Sequence, residues 1–220
     1  KAALEKEDFF ISPSNLDTVT LLGNTERWAS GVLLLVGPKG SGKTHLCSVW
    51  SKEQKAKHVK LEAVLPEIEK GLNHDLVCVE DIDIIEKAER QKKSKIEEGI
   101  FHLINSIGSR GGKLLMSSRK MPNSLSLGLK DLVSRLQSFS SANIKEPDDS
   151  LVMALLLKYF NDRQIYIKHS NLDYIAARIN RTYRSIYEFV NYLDHKSLAL
   201  NTKVTRPFID SALNKMEKTY

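Results

Sequence analysis

Eight residues, Gly37, Pro38, Lys39, Gly40, Ser41, Gly42, Lys43 and Thr44, follow an apolar run and end in Lys-Thr. Their spacing is G-x-x-x-x-G-K-[ST], and the chemistry it suits is phosphate binding. Gly40 and Gly42 let backbone N–H groups converge on phosphate oxygens with no side chain in the way. A helix starting near Lys43 would aim its positive end at the same anion. Lys43 would reach the β- and γ-phosphates, and the Thr44 hydroxyl would help hold Mg²⁺. A chance Gly-rich turn is the competing reading. The buried strand before the motif and the amphipathic helix after it are the context that phosphate binding requires.

Other stretches carry polar groups where such a site would need them. In "LVCVEDIDII" (76–85) an apolar strand ends in Glu80 and Asp81. One carboxylate would bind Mg²⁺ and the next would orient an attacking water. The usual order is Asp first; here the longer Glu80 stands on the metal side and Asp81 on the water side, which points to slow hydrolysis. Capping of a following helix is the other reading. "LLMSSRK" (114–120) is a third strand with polar residues at its end. In P-loop ATPases of the AAA+ class a side chain here senses the γ-phosphate, a role open to Ser117 or Ser118; a turn of small polar residues fits equally. "LKDLVSRL" (129–136) puts Arg135 at the end of a short helix, where such proteins direct an arginine into a neighbour's site. A guanidinium suits a γ-phosphate because its fork bonds two oxygens. Spacing alone favours a surface arginine in an ion pair. In "NRTYRSIYEFVNYL" (180–193), Arg181 and Arg184 are three apart on one helix face, either nucleotide-directed or simply solvated.

These residues need a frame. Strand and helix periods alternate up to about residue 145: strands at 31–36, 58–61, 76–79, 113–116 and 141–144, and helices at 43–52, 64–70, 96–107 and 129–136. That alternation implies a mainly parallel sheet covered on both faces. At "KEPDDS" the pattern changes, because Pro147 followed by Asp148 and Asp149 signals a helix start. Helical periods follow at 151–161, 171–179, 182–198 and 205–216. The expected organisation is an α/β nucleotide-binding domain over 1–145 and a small all-helical domain over 146–220.

Composition narrows the function. The chain has 220 residues, 41% hydrophobic and 27% charged, as in ordinary soluble domains. No apolar run is long enough to span a bilayer. The N-terminus is polar, unlike a signal peptide, and it opens on Lys1 rather than Met, leaving room for a native segment ahead of it. Cys47 and Cys78 sit in apolar stretches and read as buried, reduced thiols of a cytoplasmic protein. The net charge of +6 is spread thinly: 22 basic against 18 acidic residues in 1–145, and 11 against 9 in 146–220. Only Lys87–Lys95 is locally basic, and it reads as a solvated loop ahead of a phosphate-binding patch. Tyr166 in "RQIYIKH" reads as part of an extended link and not as a stacking platform. Direct DNA binding is therefore expected to be weak or absent. No N-K-x-D stretch is present, which favours adenine over guanine. The six His and two Cys show no metal-ligand spacing.

"FFISPSN" (9–15), "GPKGSGKTHL" (37–46), "VEDID" (79–83), "SRL" (134–136), "EPDD" (146–149), "RTYRSIYEFV" (181–190) and "VTRPF" (204–208) follow one another in a telling order. With them the chain resembles the AAA+ core of the DnaA-type replication initiators, and more closely their Hda-like regulatory branch. The "VEDID" form is similar to that of alphaproteobacterial members. The resemblance implies a P-loop AAA+ core with an all-helical lid. It implies ADP or ATP with Mg²⁺, contacted by residues 37–44, His45, Ile11, Asn15, Ser117 and Arg184. It also implies Thr44 and Glu80 on the metal side, Asp81 as the water-positioning acid, and Arg135 acting in trans.

Initiators continue past the lid into a DNA-reading helix-turn-helix domain, whereas this sequence stops at Tyr220. The expectation is an AAA+ module that docks, with the sliding clamp, on the ATP-bound initiator and stimulates its ATP hydrolysis. Its own ATPase would be weak or absent, and self-association is open. Three departures stand out. No glutamine-led clamp motif precedes Phe9, Arg119 holds the place of an acidic sensor, and Glu80 replaces an Asp. The alternatives are a self-contained ATPase that loads a helicase or remodels a DNA complex, a small-molecule P-loop kinase, and a scaffold with a vestigial site. The all-helical C-terminal part fits a kinase poorly, and the intact Lys43 and Thr44 argue against a vestigial site.

Overall fold

The computed structural model describes residues 9–217. Contacts divide the chain into two units. The first holds Phe9 and Asn15–Ile144; the second holds Phe10–Ser14 and residues 145–217.

The first unit is built on five parallel strands in the order β2-β3-β4-β1-β5. They are β1 (Val32–Val36), β2 (Lys57–Val59), β3 (Leu76–Val79), β4 (Lys113–Ser118) and β5 (Ser140–Asn143). Every residue of β1 is buried, as a central strand covered on both faces must be. Side chains alternate across the sheet. Val32, Leu34, Val36, Val77, Val79, Leu114 and Met116 join one core cluster with Ile100, Leu103, Ile104 and Ile107. The helices are α1 (Leu16–Gly23), α2 (Lys43–Glu53), α3 (Val64–Glu69), α4 (Arg90–Ser109) and α5 (Lys130–Ser138). α2 packs on β3 and β4, and α3 packs along α4. Trp28 stacks on Trp50 with centroids 5.4 Å apart, and its indole N–H donates to the Leu21 carbonyl at 2.8 Å.

In the second unit α6 (Asp149–Asp162), α7 (His169–Ala176), α8 (Tyr183–Leu200) and α9 (Arg206–Glu217) enclose their own core. It includes Leu156, Phe160, Ile175, Ile186, Phe189, Leu193 and Ile209. Asp148 caps α6 by accepting from the Leu151 N–H, and the Thr182 hydroxyl caps α8 by accepting from the Ser185 N–H. α8 ends at Asn201, whose φ of +47° is the left-handed turn that terminates helices.

Two features differ from the sequence expectation. The basic run is not a loop from Arg90 onward: Arg90–Lys95 form the first turns of α4. Its exposed turns carry no apolar stripe, so periodicity does not reveal them. α1, which begins just after Asn15, has no counterpart in the sequence expectation. Cys47 and Cys78 are free and buried, and among the described residues no helix is long and apolar enough to cross a membrane.

Gly99 offers a test of the α3–α4 packing. A Cβ there would lie 2.9 Å from the Leu65 backbone nitrogen and 3.2 Å from its Cα. Helix propensity favours Ala over Gly by about 1 kcal/mol. The collision outweighs it, so Gly99→Ala is expected to destabilise the protein by about 1–3 kcal/mol in denaturant unfolding.

Candidate functional site

The strand, loop and helix of residues 32–53 form the cradle that the motif requires. Gly40 and Gly42 both take φ of +87°, a conformation that side chains resist. The Gly37 N–H donates to the Ser118 carbonyl at 3.2 Å, which ties the loop to the end of β4. Lys43, in the first turn of α2, is only 6% exposed. Its ammonium donates to the carbonyls of Gly37 and Pro38 at 2.8 and 2.9 Å. Burial lowers its pKa; the negative field of Asp81 opposes that shift and Arg119 adds to it. The buried Ser41 hydroxyl has no hydrogen-bond partner among the described residues. Lys39, Gly40 and Thr44 are exposed along the loop. Phe9 packs over Gly42, where a Cβ would meet its ring at 2.8 Å, and its ring lies 5.6 Å from that of His45. An N–H-lined loop with a buried ammonium and an unsatisfied hydroxyl fits a phosphate-bearing ligand.

The carboxyl ends of β3 and β4 face this loop. Asp81 follows β3 in the left-handed conformation, with φ of +52°, and its N–H donates to the buried Ser117 hydroxyl at 2.9 Å. Arg119 reaches Asp81 at 3.9 Å, and its own N–H donates to Asp83 at 2.8 Å. Lys43, Asp81, Ser117 and Arg119 are thus brought together with Asp83, which sequence spacing did not single out. Glu80 is not in this group. Its Oε1 lies 3.0 Å from Nε2 of His58, on the neighbouring strand β2. Among the described residues no cluster of three or more His, Cys, Asp or Glu is arranged to hold a metal.

The remaining candidates stand on other elements. Arg135 is exposed in the last turn of α5, its guanidinium carbon 5.0 Å from the centroid of the Phe101 ring. Glu97 is a carboxylate of α4 that sequence reasoning missed. It is buried and accepts from the Gly128 and Leu129 N–H groups at 3.0 and 2.7 Å. Asn15 is 1% exposed at the head of α1, whereas Ile11 is 50% exposed and belongs to the second unit. In that unit Arg184 bonds Glu188 at 2.7 Å and Arg181 bonds Asp149 at 2.6 Å. Asp148 does more than start a helix. It accepts from the Leu151 N–H, the Ser150 hydroxyl and the Ser14 N–H at 2.9, 2.6 and 2.9 Å, which fastens residues 10–14 to the helical unit. Burial opposes its charge, but these bonds and one from Ser12 outweigh burial and hold its carboxyl well below the usual range. Residues 1–8, where a clamp motif was sought, lie outside the described residues.

Comparison with known proteins bears on both units. Residues 148–213 match the family model described as Hda, lid domain. An uncharacterized protein of Haemophilus influenzae is 28% identical over 221 residues, spanning 94% of this chain and 92% of the relative. Domain III of the Thermotoga maritima replication initiation protein DnaA superposes with a TM-score of 0.73 at 19% identity. That alignment covers 98% of this chain and 97% of the other. AMPPCP-bound DnaA from Aquifex aeolicus gives 0.64 at 17% identity, over 89% of this chain and 66% of its own. These structures share the fold: a parallel sheet flanked by helices, with a helical C-terminal part.

The Asp148 bonds carry a pH signature. Its folded pKa is depressed, so its stabilisation is present above the unfolded value of about 3.9 and is lost as pH falls through the folded one. Asp148→Ala is expected to cost about 1–2 kcal/mol at pH 7. The gap to wild type should shrink progressively below about pH 4 in denaturant titrations.

Proposed function

We propose, from the premise that the chain is an Hda-like AAA+ protein of the DnaA type, that it regulates the initiation of chromosomal replication. In this reading it binds ADP or ATP through residues 37–44, docks on an ATP-bound DnaA-type initiator and promotes hydrolysis of the initiator's ATP. The sliding clamp is the second proposed partner, and the cytoplasm the proposed compartment. The observation that carries the reading is a division within the site. The phosphate loop has the features needed to bind, while of the two carboxylates behind it Glu80 is paired with His58 outside the site and Asp81, inside it, already faces Arg119. Such a site suits retention of a nucleotide better than its rapid turnover.

The roles follow from residue chemistry. Within Gly37–Gly42, phosphates would be held by backbone N–H groups other than those of Gly37, which bonds Ser118, and Pro38, which has none; Lys43 would exchange its loop carbonyls for phosphate oxygens. Thr44 would contribute a hydroxyl to Mg²⁺, whose remaining ligands would come chiefly from phosphate and water. With Glu80 turned to His58, its metal-side role would need a change of side-chain rotamer. Ser117 links the site to β4 through Asp81, and Arg184 is the lid arginine proposed to meet the nucleotide. Arg135 would act in trans, where an arginine supplied by a partner accelerates hydrolysis by roughly 10³–10⁵ in P-loop systems. A self-contained ATPase acting on a DNA complex is the second reading. It draws on Asp81 and Lys43 sharing one field at the sheet edge, and it requires turnover in isolation, stimulated by single-stranded DNA.

ATP turnover by a purified DnaA-type initiator, with loaded clamp and ADP, should rise when this protein is added. Arg135→Ala should abolish the rise. Robust turnover by this protein alone, with no effect on the initiator, would support the second reading instead.

A further inference from the structure

Exposed arginines commonly spend their N–H donors on a nearby carboxylate. Among the described residues Arg135 makes no ion pair; its one contact of this kind is with the face of Phe101, 5.0 Å away. The difference matters for a residue that must deliver itself to an anion. A carboxylate would hold the guanidinium but would have to be displaced, and its charge would oppose an incoming phosphate. An aromatic face attracts the cation electrostatically and offers no acceptor oxygen. The donors of the guanidinium fork are then restrained in position and remain available for two oxygens of a partner.

Phe101 is itself well anchored. It is partly buried against the sheet core on α4, a helix of 20 residues whose other face is set by Ile100, Leu103, Ile104 and Ile107. One turn earlier on the same helix stands Glu97, 3% exposed. Leu129, at the head of α5, has no side-chain oxygen with which to cap its helix. Glu97 instead fixes the backbone that leads into the helix, accepting from the Gly128 and Leu129 N–H groups. A further turn earlier, the Lys93 ammonium donates to the Ser126 carbonyl at 2.6 Å. Positions 93, 97 and 101 lie four apart and so on one face. They grip, in order, the loop before α5, the two residues that lead into it and the arginine in its last turn.

We infer that Glu97 and Phe101 are positioning residues for Arg135, Glu97 fixing the start of α5 and Phe101 pre-orienting the guanidinium without occupying its donors; this rests on the reading of Arg135 as the residue that acts in trans. Phe101→Leu keeps apolar bulk and removes the ring face. Phe101→Tyr keeps the face. Initiator turnover is measured against increasing concentrations of each full-length variant, with ADP and loaded clamp, beside Arg135→Ala and the Phe101→Leu/Arg135→Ala pair. Phe101→Leu should lower the maximal stimulated rate by about two- to five-fold, with the half-saturating concentration and melting temperature little changed. Phe101→Tyr should restore the rate, and the double variant should be no worse than Arg135→Ala. ¹⁵N relaxation at the Arg135 Nε–H, which needs no partner, should show an ordered group in wild type and a mobile one in Phe101→Leu.

Full stimulation and an unchanged order parameter in Phe101→Leu, with Arg135→Ala inactive, would overturn the positioning role and leave the trans reading standing. Stimulation by Arg135→Ala equal to wild type would overturn both.

Discussion

The core unit is organised around one buried ammonium. Lys43 cannot be taken out of water cheaply unless oxygens and negative charge replace its hydration. The carbonyls of Gly37 and Pro38 provide the first and the field of Asp81 the second. Several local features serve that requirement together. Gly40 and Gly42 take left-handed backbone so that the loop can fold around the group. β1 is buried throughout and delivers the loop to the sheet's carboxyl edge. Near the end of β4, the Ser117 hydroxyl holds the backbone of Asp81 where its charge can act on Lys43. A polyphosphate would meet the same requirement with stronger charge, which is why this constraint on one lysine fits the proposed phosphate site.

In the proposed reading, the surrounding charges would govern the fate of a bound nucleotide. Asp81 answers to Lys43 and Arg119 at once, and Glu80 is drawn sideways to His58. Neither carboxylate stands free beside the loop. Arg135, by contrast, is held by a ring and, among the described residues, by no acid. Within one unit, the carboxylates beside the loop face cations, while Arg135, the residue proposed to act in trans, is exposed. The helical unit has its own organising charge in Asp148, which binds residues 12–14 to the start of α6.

Local patterns made much of this legible beforehand. The phosphate loop is contiguous, its residue types are dictated by backbone geometry, and its flanking strand and helix carry clear periods. β3 and its terminal carboxylates were equally plain as an apolar run meeting charge. What escaped was either short or distant. α1 is eight residues with two threonines, too brief for a helical period to stand out. The start of α4 was hidden because Arg90–Lys95 are all polar and, Lys93 aside, exposed. His58 with Glu80, Glu97 with Gly128 and Ser14 with Asp148 are pairs separated by 22, 31 and 134 positions. No local spacing encodes such pairs; they exist only once the sheet order and helix packing bring the partners together. Arg135 shows the limit most clearly, since spacing alone favoured an ion pair and the fold placed an aromatic face there instead.

The central claim is that Lys43 retains a nucleotide that is hydrolysed slowly. The most direct measurement is calorimetric titration of ADP and ATP, each with Mg²⁺, into wild type and Lys43→Ala, with loss of bound ATP followed in the same samples. Both nucleotides should bind wild type, Lys43→Ala should weaken binding by roughly 10- to 100-fold, and ATP on wild type should persist. Equal affinity in the variant, or rapid turnover by wild type alone, would contradict the claim.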